Sequence, residues 1–227
     1  MSKFYVPTNG SEDWKALLAR PDEQWKPGHS AKALAYCWEE ANGFPPDVRT
    51  VFRKSGEELF QDIRFLLAFP EYKVPLPGGL TCAQNDIFVL AKSKDQLVSI
   101  AVEGKVSEPF DKPISEWKSE YGRGKQTRLR YLCGLLRLDM KGIDHIYYQL
   151  LHRTASAVIE AERFKAENAL MLVHSFSKEN KWFNEYCQFL ALFGVEGKLD
   201  ALVTAGDIQG ISLYFAWVKG NKKYLER

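Results

Sequence analysis

The chain has 227 residues, 45% hydrophobic and 26% charged, and its 31 basic and 29 acidic side chains leave a net charge of +2. This is the composition of an ordinary globular protein, which excludes collagen-like and disordered chains, and the length suits one domain with embellishments or two small ones. No apolar run reaches the roughly 20 residues that cross a bilayer, and residues 1–10 lack the order of a secretory signal, so a cytoplasmic protein without a membrane partner is expected.

Residues 1–46 read as a helical N-terminal extension. Trp14, Leu17 and Leu18 begin a short apolar face. A helix over 30–42 follows, capped by Ser30, with Ala31, Leu34, Ala35 and Trp38 as its stripe and Gly43 and Pro45 as its stop. His29, just before it, reads as a packing or cap-region histidine. Helical spacing of Leu59, Phe60, Ile63, Leu66 and Leu67 predicts a further helix over 47–69, interrupted at Gly56. Ser55-Gly56-Glu57-Glu58 resembles a capping box. Prolines and glycines then bracket a short strand over 72–76. Two strands in a hairpin are predicted at 85–91 and 97–105, and a long helix at 144–166. The unbroken apolar run 169–176 suits a strand buried on both faces. A helix over 178–193 and strands over 199–204 and 211–219 complete the chain. The order predicts an α/β fold with a mixed sheet, residues 47–227 forming the main domain and the last two strands a C-terminal hairpin. Cys37, Cys82, Cys133 and Cys187 form no C-x-x-C pair and read as free thiols.

The 85–105 hairpin carries the chemistry. If it closes symmetrically about Lys94-Asp95, Ile87 faces Val102, Val89 faces Ile100 and Ala91 faces Val98, all apolar pairs on one face. The same register sets Asp86 opposite Glu103 on the other face, and Lys105, two residues on, shares that face. Opposed carboxylates are unfavourable unless compensated. A hard divalent ion compensates them, and two oxygen ligands with room for water suit Mg²⁺ or Mn²⁺. With Lys105 as water-positioner or base, these parts form a metal-assisted phosphodiester hydrolase site.

Asp86 followed after sixteen residues by Glu103-Gly104-Lys105 on the next strand resembles the Asp…Glu-x-Lys signature of the PD-(D/E)XK nuclease superfamily, the restriction-endonuclease-like fold. Asn85 stands where the named proline would be. The resemblance covers about residues 47–176 and implies a core of a helix, three strands, a helix and a strand. It implies that Asp86 and Glu103 ligate the metal with the carbonyl of Gly104, and that Lys105 acts on the attacking water. Several members also carry a glutamine on the second core helix, which Gln149 resembles. Gln149, His152, Arg153 and Ser156 share one stripe of that helix, where Gln149 and Arg153 can hold a phosphate or a water. Glu57, Glu58 and Asp62 are candidates for a further acid.

Lys118, Arg123, Lys125, Arg128, Arg130, Arg137 and Lys141 crowd one segment, and Lys219, Lys222, Lys223 and Arg227 the tail. Arg123, Lys125, Arg128 and Arg130 are expected to contact nucleic-acid backbone, with Tyr121 and Tyr131 stacking on unpaired bases. The partner implied is nucleic acid, DNA before RNA, and cutting two strands calls for two sites and hence a homodimer. Two other readings stay open: a catalytically inactive nuclease-fold module that binds nucleic acid or protein, and an unrelated α/β domain with Glu103 and Lys105 as a surface pair. No helix-turn-helix, P-loop, zincin or serine-hydrolase pattern is present.

Overall fold

Both faces of the 83–105 hairpin are apolar, so the hairpin must lie inside the molecule rather than on its rim. The computed structural model describes residue 5, residues 8–118 and residues 122–227. Tyr121 therefore lies outside the described residues. The chain opens with a 3₁₀ turn, Ser11–Leu17, and four helices, α1 (Pro21–Gln24), α2 (Ser30–Ala41), α3 (Pro46–Lys54) and α4 (Glu58–Gln61). Strands β1 (Arg64–Val74), β2 (Ala83–Ser93) and β3 (Gln96–Lys105) follow, then helices α5 (Ile114–Trp117), α6 (Arg123–Leu135) and α7 (Tyr148–Phe164). Strand β4 (Asn168–Ser175), helix α8 (Phe183–Ala191), strands β5 (Ala201–Ile208) and β6 (Ile211–Lys219), and a 3₁₀ turn, Lys222–Glu226, complete it.

The six strands form one mixed open sheet in the order β1-β2-β3-β4-β6-β5. β1, β2 and β3 run antiparallel, β4 lies parallel to β3 and β6, and β5 returns antiparallel to β6. Every residue of β4 is buried, as its unbroken apolar run predicts for a central parallel strand. Ile87, Val89, Ile100, Val102, Leu170 and Leu172 pack under Leu34, Trp38 and Phe52 of α2 and α3. Ala101, Met171, Val173 and Phe215 pack on the other face under Leu150, Leu151 and Val158 of α7. The hairpin thus has two core faces, not one.

Several boundaries differ from the sequence reading, each for an identifiable reason. The helix expected over 47–69 ends at Lys54, resumes for one turn in α4, and becomes strand at Arg64. Leu66, Leu67 and Phe69 belong to β1, where a bulge between Phe65 and Leu67 shifts the two-residue alternation and leaves Leu66 exposed. Pro70 is tolerated because β1 is an edge strand whose N–H groups need no outer partner. Ser55 does not form a capping box with Glu58. Its hydroxyl accepts from the Glu57 N–H, while Glu58 reaches Lys94. Ser30 is the first helical residue rather than the cap, and its N–H donates to Glu108. α7 starts at Tyr148 because the preceding residues are held by α5: Ile114 N–H donates to the Ile146 carbonyl, and Pro113 bridges Tyr147. α8 starts only after Trp182, whose φ of 70° is left-handed.

Candidate active site

The β2–β3 ladder has the expected register, Ile87 to Val102, Val89 to Ile100 and Ala91 to Val98. It ends at Ile87 and Val102. Beyond that point β2 stays with β1 down to Ala83, and β3 stays with β4 out to Lys105 beside Ser175. The two strands splay, and the carboxylates of Asp86 and Glu103 stand in the gap. Ile87 and Val102 face α2, so Asp86, Glu103 and Lys105 face α7.

Side chains from α7 close the cluster. Lys105 Nζ donates to Glu103 Oε1 at 2.6 Å and to Gln149 Oε1 at 3.0 Å. Arg153 donates from Nε to Glu103 Oε2 at 2.5 Å and from Nη2 to Asp86 Oδ1 at 3.4 Å. The Gly104 N–H donates to Asp86 Oδ2 at 2.8 Å. The Lys105 carbonyl accepts from Phe176 on the β4 side, so the neighbouring Gly104 N–H and C=O both point to the β2 side, toward Asp86. Gly104 is also a close approach. A Cβ there would stand 3.2 Å from Leu34 of α2 and 3.3 Å from the Asp86 carboxylate.

A third carboxylate, missed in the sequence, completes the group. Glu71 lies in β1 between the pairs Pro70–Ile87 and Tyr72–Asn85, level with Asp86. Its φ of 51° is left-handed in the middle of a strand, a conformation that costs a non-glycine residue of order 1–3 kcal/mol. Gln84 holds its Oε2 at 2.7 Å. Had the chain from Arg64 been read as strand, pairing Pro70 with Ile87 would have set Glu71 against Asp86. The acids considered instead are elsewhere: Glu57 accepts from Thr204, Glu58 pairs with Lys94, and Asp62 lies outside the cleft.

Burial and crowding govern the charges. Glu103 and Lys105 are almost fully buried, and a fifth of the Asp86 side chain stays open to solvent. Burial and the neighbouring Glu103 push the Asp86 carboxyl up to about 7. Burial and Asp86 push Glu71 up to about 8. Burial acts on Glu103 in the same direction, but Arg153 and Lys105 outweigh it and hold Glu103 below the usual carboxylate range. The folded state therefore keeps protons on Asp86 and Glu71 that an unfolded chain releases near pH 4, and these two groups lose stability as pH rises from about 4 to about 8. In divalent-free buffer, Asp86→Asn and Glu71→Gln should each raise the melting temperature more at pH 8 than at pH 5. Thermal melts at the two pH values check this, and an equal shift at both would refute it.

The cleft so formed has a volume of about 400 Å³. Its floor is the carboxylate cluster, and one wall comes from Leu18, Arg20, Gln24 and His29 of the N-terminal segment. His29 approaches Glu108, whose carboxylate also takes the N–H at the start of α2. Among the described residues, no group of three or more His, Cys, Asp and Glu side chains is arranged to hold a metal ion. The donor set nevertheless fits a hard cation chemically. Asp86, Glu103 and Glu71 offer oxygens, and because burial raises the carboxyls of Asp86 and Glu71, a cation there would bind by displacing protons.

The other predicted residues divide. Arg153 turns to the two carboxylates, not outward to a phosphate. Arg128 is buried and donates to the carbonyls of Leu76, Pro77 and Thr81, so it holds a loop and presents no charge to a nucleic-acid backbone. Lys125 shares its side of α6, with Nζ on the Trp117 carbonyl. Arg123 and Arg130, seven residues apart, are exposed on the opposite side, so the four cations do not form one row. Tyr131 is exposed, at 39%. His174 faces α2, where its Nδ1 accepts from Trp38 at 3.0 Å. All four cysteines are free, Cys37 and Cys133 buried and Cys82 and Cys187 half-buried. Among the described residues, no helix is long and apolar enough to cross a membrane.

Comparison with known proteins gives a family and little more. No curated protein and no solved structure matches the chain. One family model does, over residues 7–222, and the chain therefore belongs to the family described as a domain of unknown function, DUF6946.

Proposed function

We propose that the chain is a metal-dependent nuclease with a restriction-endonuclease-like core. The observation that carries this reading is the meeting of Asp86, Glu103, Lys105 and Gln149 where the β2–β3 hairpin splays. The element order supports it too: with α4, α5 and α6 taken as insertions, α3, β1, β2, β3, α7 and β4 follow the helix, three strands, helix and strand that the resemblance implies. The substrate class is a phosphodiester of DNA, or of RNA. Mg²⁺ or Mn²⁺ would be held by Asp86 and Glu103 with the Gly104 carbonyl, and Glu71 is a further carboxylate beside Asp86. When bound, the ion would supply Lewis-acid polarisation of the phosphate oxygens.

The chain's own groups have distinct tasks. Lys105 spends two of its three N–H donors on Glu103 and Gln149, which leaves one to orient a water or a phosphate oxygen. Gln149 fixes the lysine from α7. Arg153 keeps Glu103 ionised. The N-terminal wall narrows the cleft against bulk water.

A second reading, a catalytically inactive nucleic-acid-binding or interaction module, is favoured by one observation. Both Glu103 oxygens are already bonded, to Lys105 and to Arg153. One experiment separates the two. The purified chain is incubated with single- and double-stranded DNA and with RNA, with Mg²⁺, Mn²⁺ or EDTA, alongside Glu103→Gln. Cleavage that needs the cation and is lost in the variant supports the nuclease; binding without cleavage selects the module.

A further inference from the structure

A second chamber of about 450 Å³ opens beside the catalytic cleft, within the range of about 300–1,000 Å³ typical of small-ligand pockets. Gln84, Asp111 and Arg153 line both spaces, so the two share a wall. Three aromatic rings run along the chamber. Trp117 stacks on Tyr148 at 4.2 Å, and Tyr148 lies 4.8 Å from His152. The His152 Nδ1 is buried and has no hydrogen-bond partner. Burial, together with Arg153, Arg128 and Lys105, disfavours its charged form, so it is a neutral imidazole with an unused polar atom.

The opposite wall is held in place. Loop 76–82 is fixed to α6 by the three carbonyl bonds of Arg128. It also touches α6 backbone to backbone, since a Cβ on Gly78 would stand 2.1 Å from the Gly124 carbonyl oxygen and one on Gly124 would stand 2.4 Å from that of Gly78. A buried guanidinium and two glycines therefore give the chamber a set shape, which a solvated surface loop does not need.

We propose that this chamber holds one unpaired nucleobase of the strand whose backbone lies in the catalytic cleft, with His152 Nδ1 bonding the base edge. The inference rests on the nuclease reading for the neighbouring phosphate and adds the substrate class, a single strand or a frayed end. A base is the group that matches what lines the space: a flat ring to lie along the edges of the aromatic row, where Trp117 and Tyr148 cover each other's faces and Lys125 lies over Trp117, a hydrogen-bonding edge for His152, and a backbone that reaches the cleft past Arg153. A paired base inside a duplex offers no free edge of that kind.

The test uses the full chain and a labelled single-stranded oligonucleotide in EDTA, with each base replaced in turn by an abasic residue. One position should weaken binding about fivefold or more, the lower end of the loss on removing one base's contacts. In His152→Leu the difference between the parent and that abasic strand should shrink, since the contact to the base edge is gone and the remaining wall is unchanged. Cys82 lines the chamber and is a free, half-buried thiol, which gives a readout independent of any substitution. Its alkylation rate should fall with the parent oligonucleotide and not with the abasic one. Abasic strands that all bind within about twofold of the parent, or Cys82 alkylation indifferent to the parent strand, overturn the proposal. Cation-dependent cleavage with no base dependence removes the chamber's role alone. Base-dependent binding with no cleavage under any divalent cation keeps it and removes the nuclease.

Discussion

Arg153→Leu should lower stability by about 3–5 kcal/mol, the cost of leaving one member of a buried ion pair alone. Glu103 loses its guanidinium partner at Oε2 while its side chain stays 3% exposed, with only Lys105 to compensate it. Asp86 loses its cation at the same time. At about 2–4 °C per kcal/mol for a chain of this size, the melting temperature should fall by roughly 6–20 °C. The double variant Arg153→Leu/Glu103→Gln should recover part of that loss, because the amide removes the uncompensated carboxylate while its oxygen still accepts from Lys105. Urea unfolding of the three proteins measures both steps. A single-variant loss below about 1 kcal/mol would mean that the pair is hydrated, and the electrostatic account of the cleft would fall with it.

On the proposed nuclease reading, Lys105→Ala should reduce phosphodiester cleavage about 10²- to 10⁴-fold, the usual contribution of one positioned proton-transfer or charge-stabilising group. The groups bonded around it do not take its place: Gln149 is neutral, and Arg153 is committed to the carboxylates. Oligonucleotide binding should change far less than the rate, since the lost contact acts on the reacting atoms. The fold should survive, because Glu103 keeps Arg153. Single-turnover rates and equilibrium binding on the same substrate separate these effects. An unchanged rate would remove Lys105 from the mechanism, whatever the rest of the site does.

The legibility of the site followed the strength of its physical constraints. The hairpin was readable because apolar pairs allow only one register about Lys94-Asp95, and that register carries Asp86, Glu103 and Lys105 with it. β4 was readable because an unbroken apolar run has few places to hide from water. β1 was readable only at its end, in the strand expected over 72–76, since Leu59, Phe60, Ile63, Leu66 and Leu67 fit a helical period by coincidence while the bulge at Leu66 broke the strand period. Losing the rest of β1 meant losing Glu71, whose relevance depends wholly on what lies across the ladder. Arg153 was placed on the correct helix stripe, but its partners were not visible there. A guanidinium serves a phosphate or a carboxylate equally well, and only the three-dimensional fold says which is nearer. Arg128 was misjudged for the same reason, because a row of basic letters does not reveal that one of them turns inward to three carbonyls. The N-terminal wall of the cleft was out of reach altogether, since nothing local to residues 18–31 announces what they cover.

The two-residue turn at Lys94 and Asp95 has a consequence far from itself. Glu103 lies nine residues beyond Lys94, about 30 Å along an extended chain. An extra residue spliced into that turn would roll β3 half a revolution about its length and carry the acid and the amine through to the side of the sheet where Leu34 and Trp38 sit. The hydrophobic pairs that would then be misplaced resist such a roll. Greasy contacts at the remote end of the ribbon are in this sense what keeps the reactive end aimed.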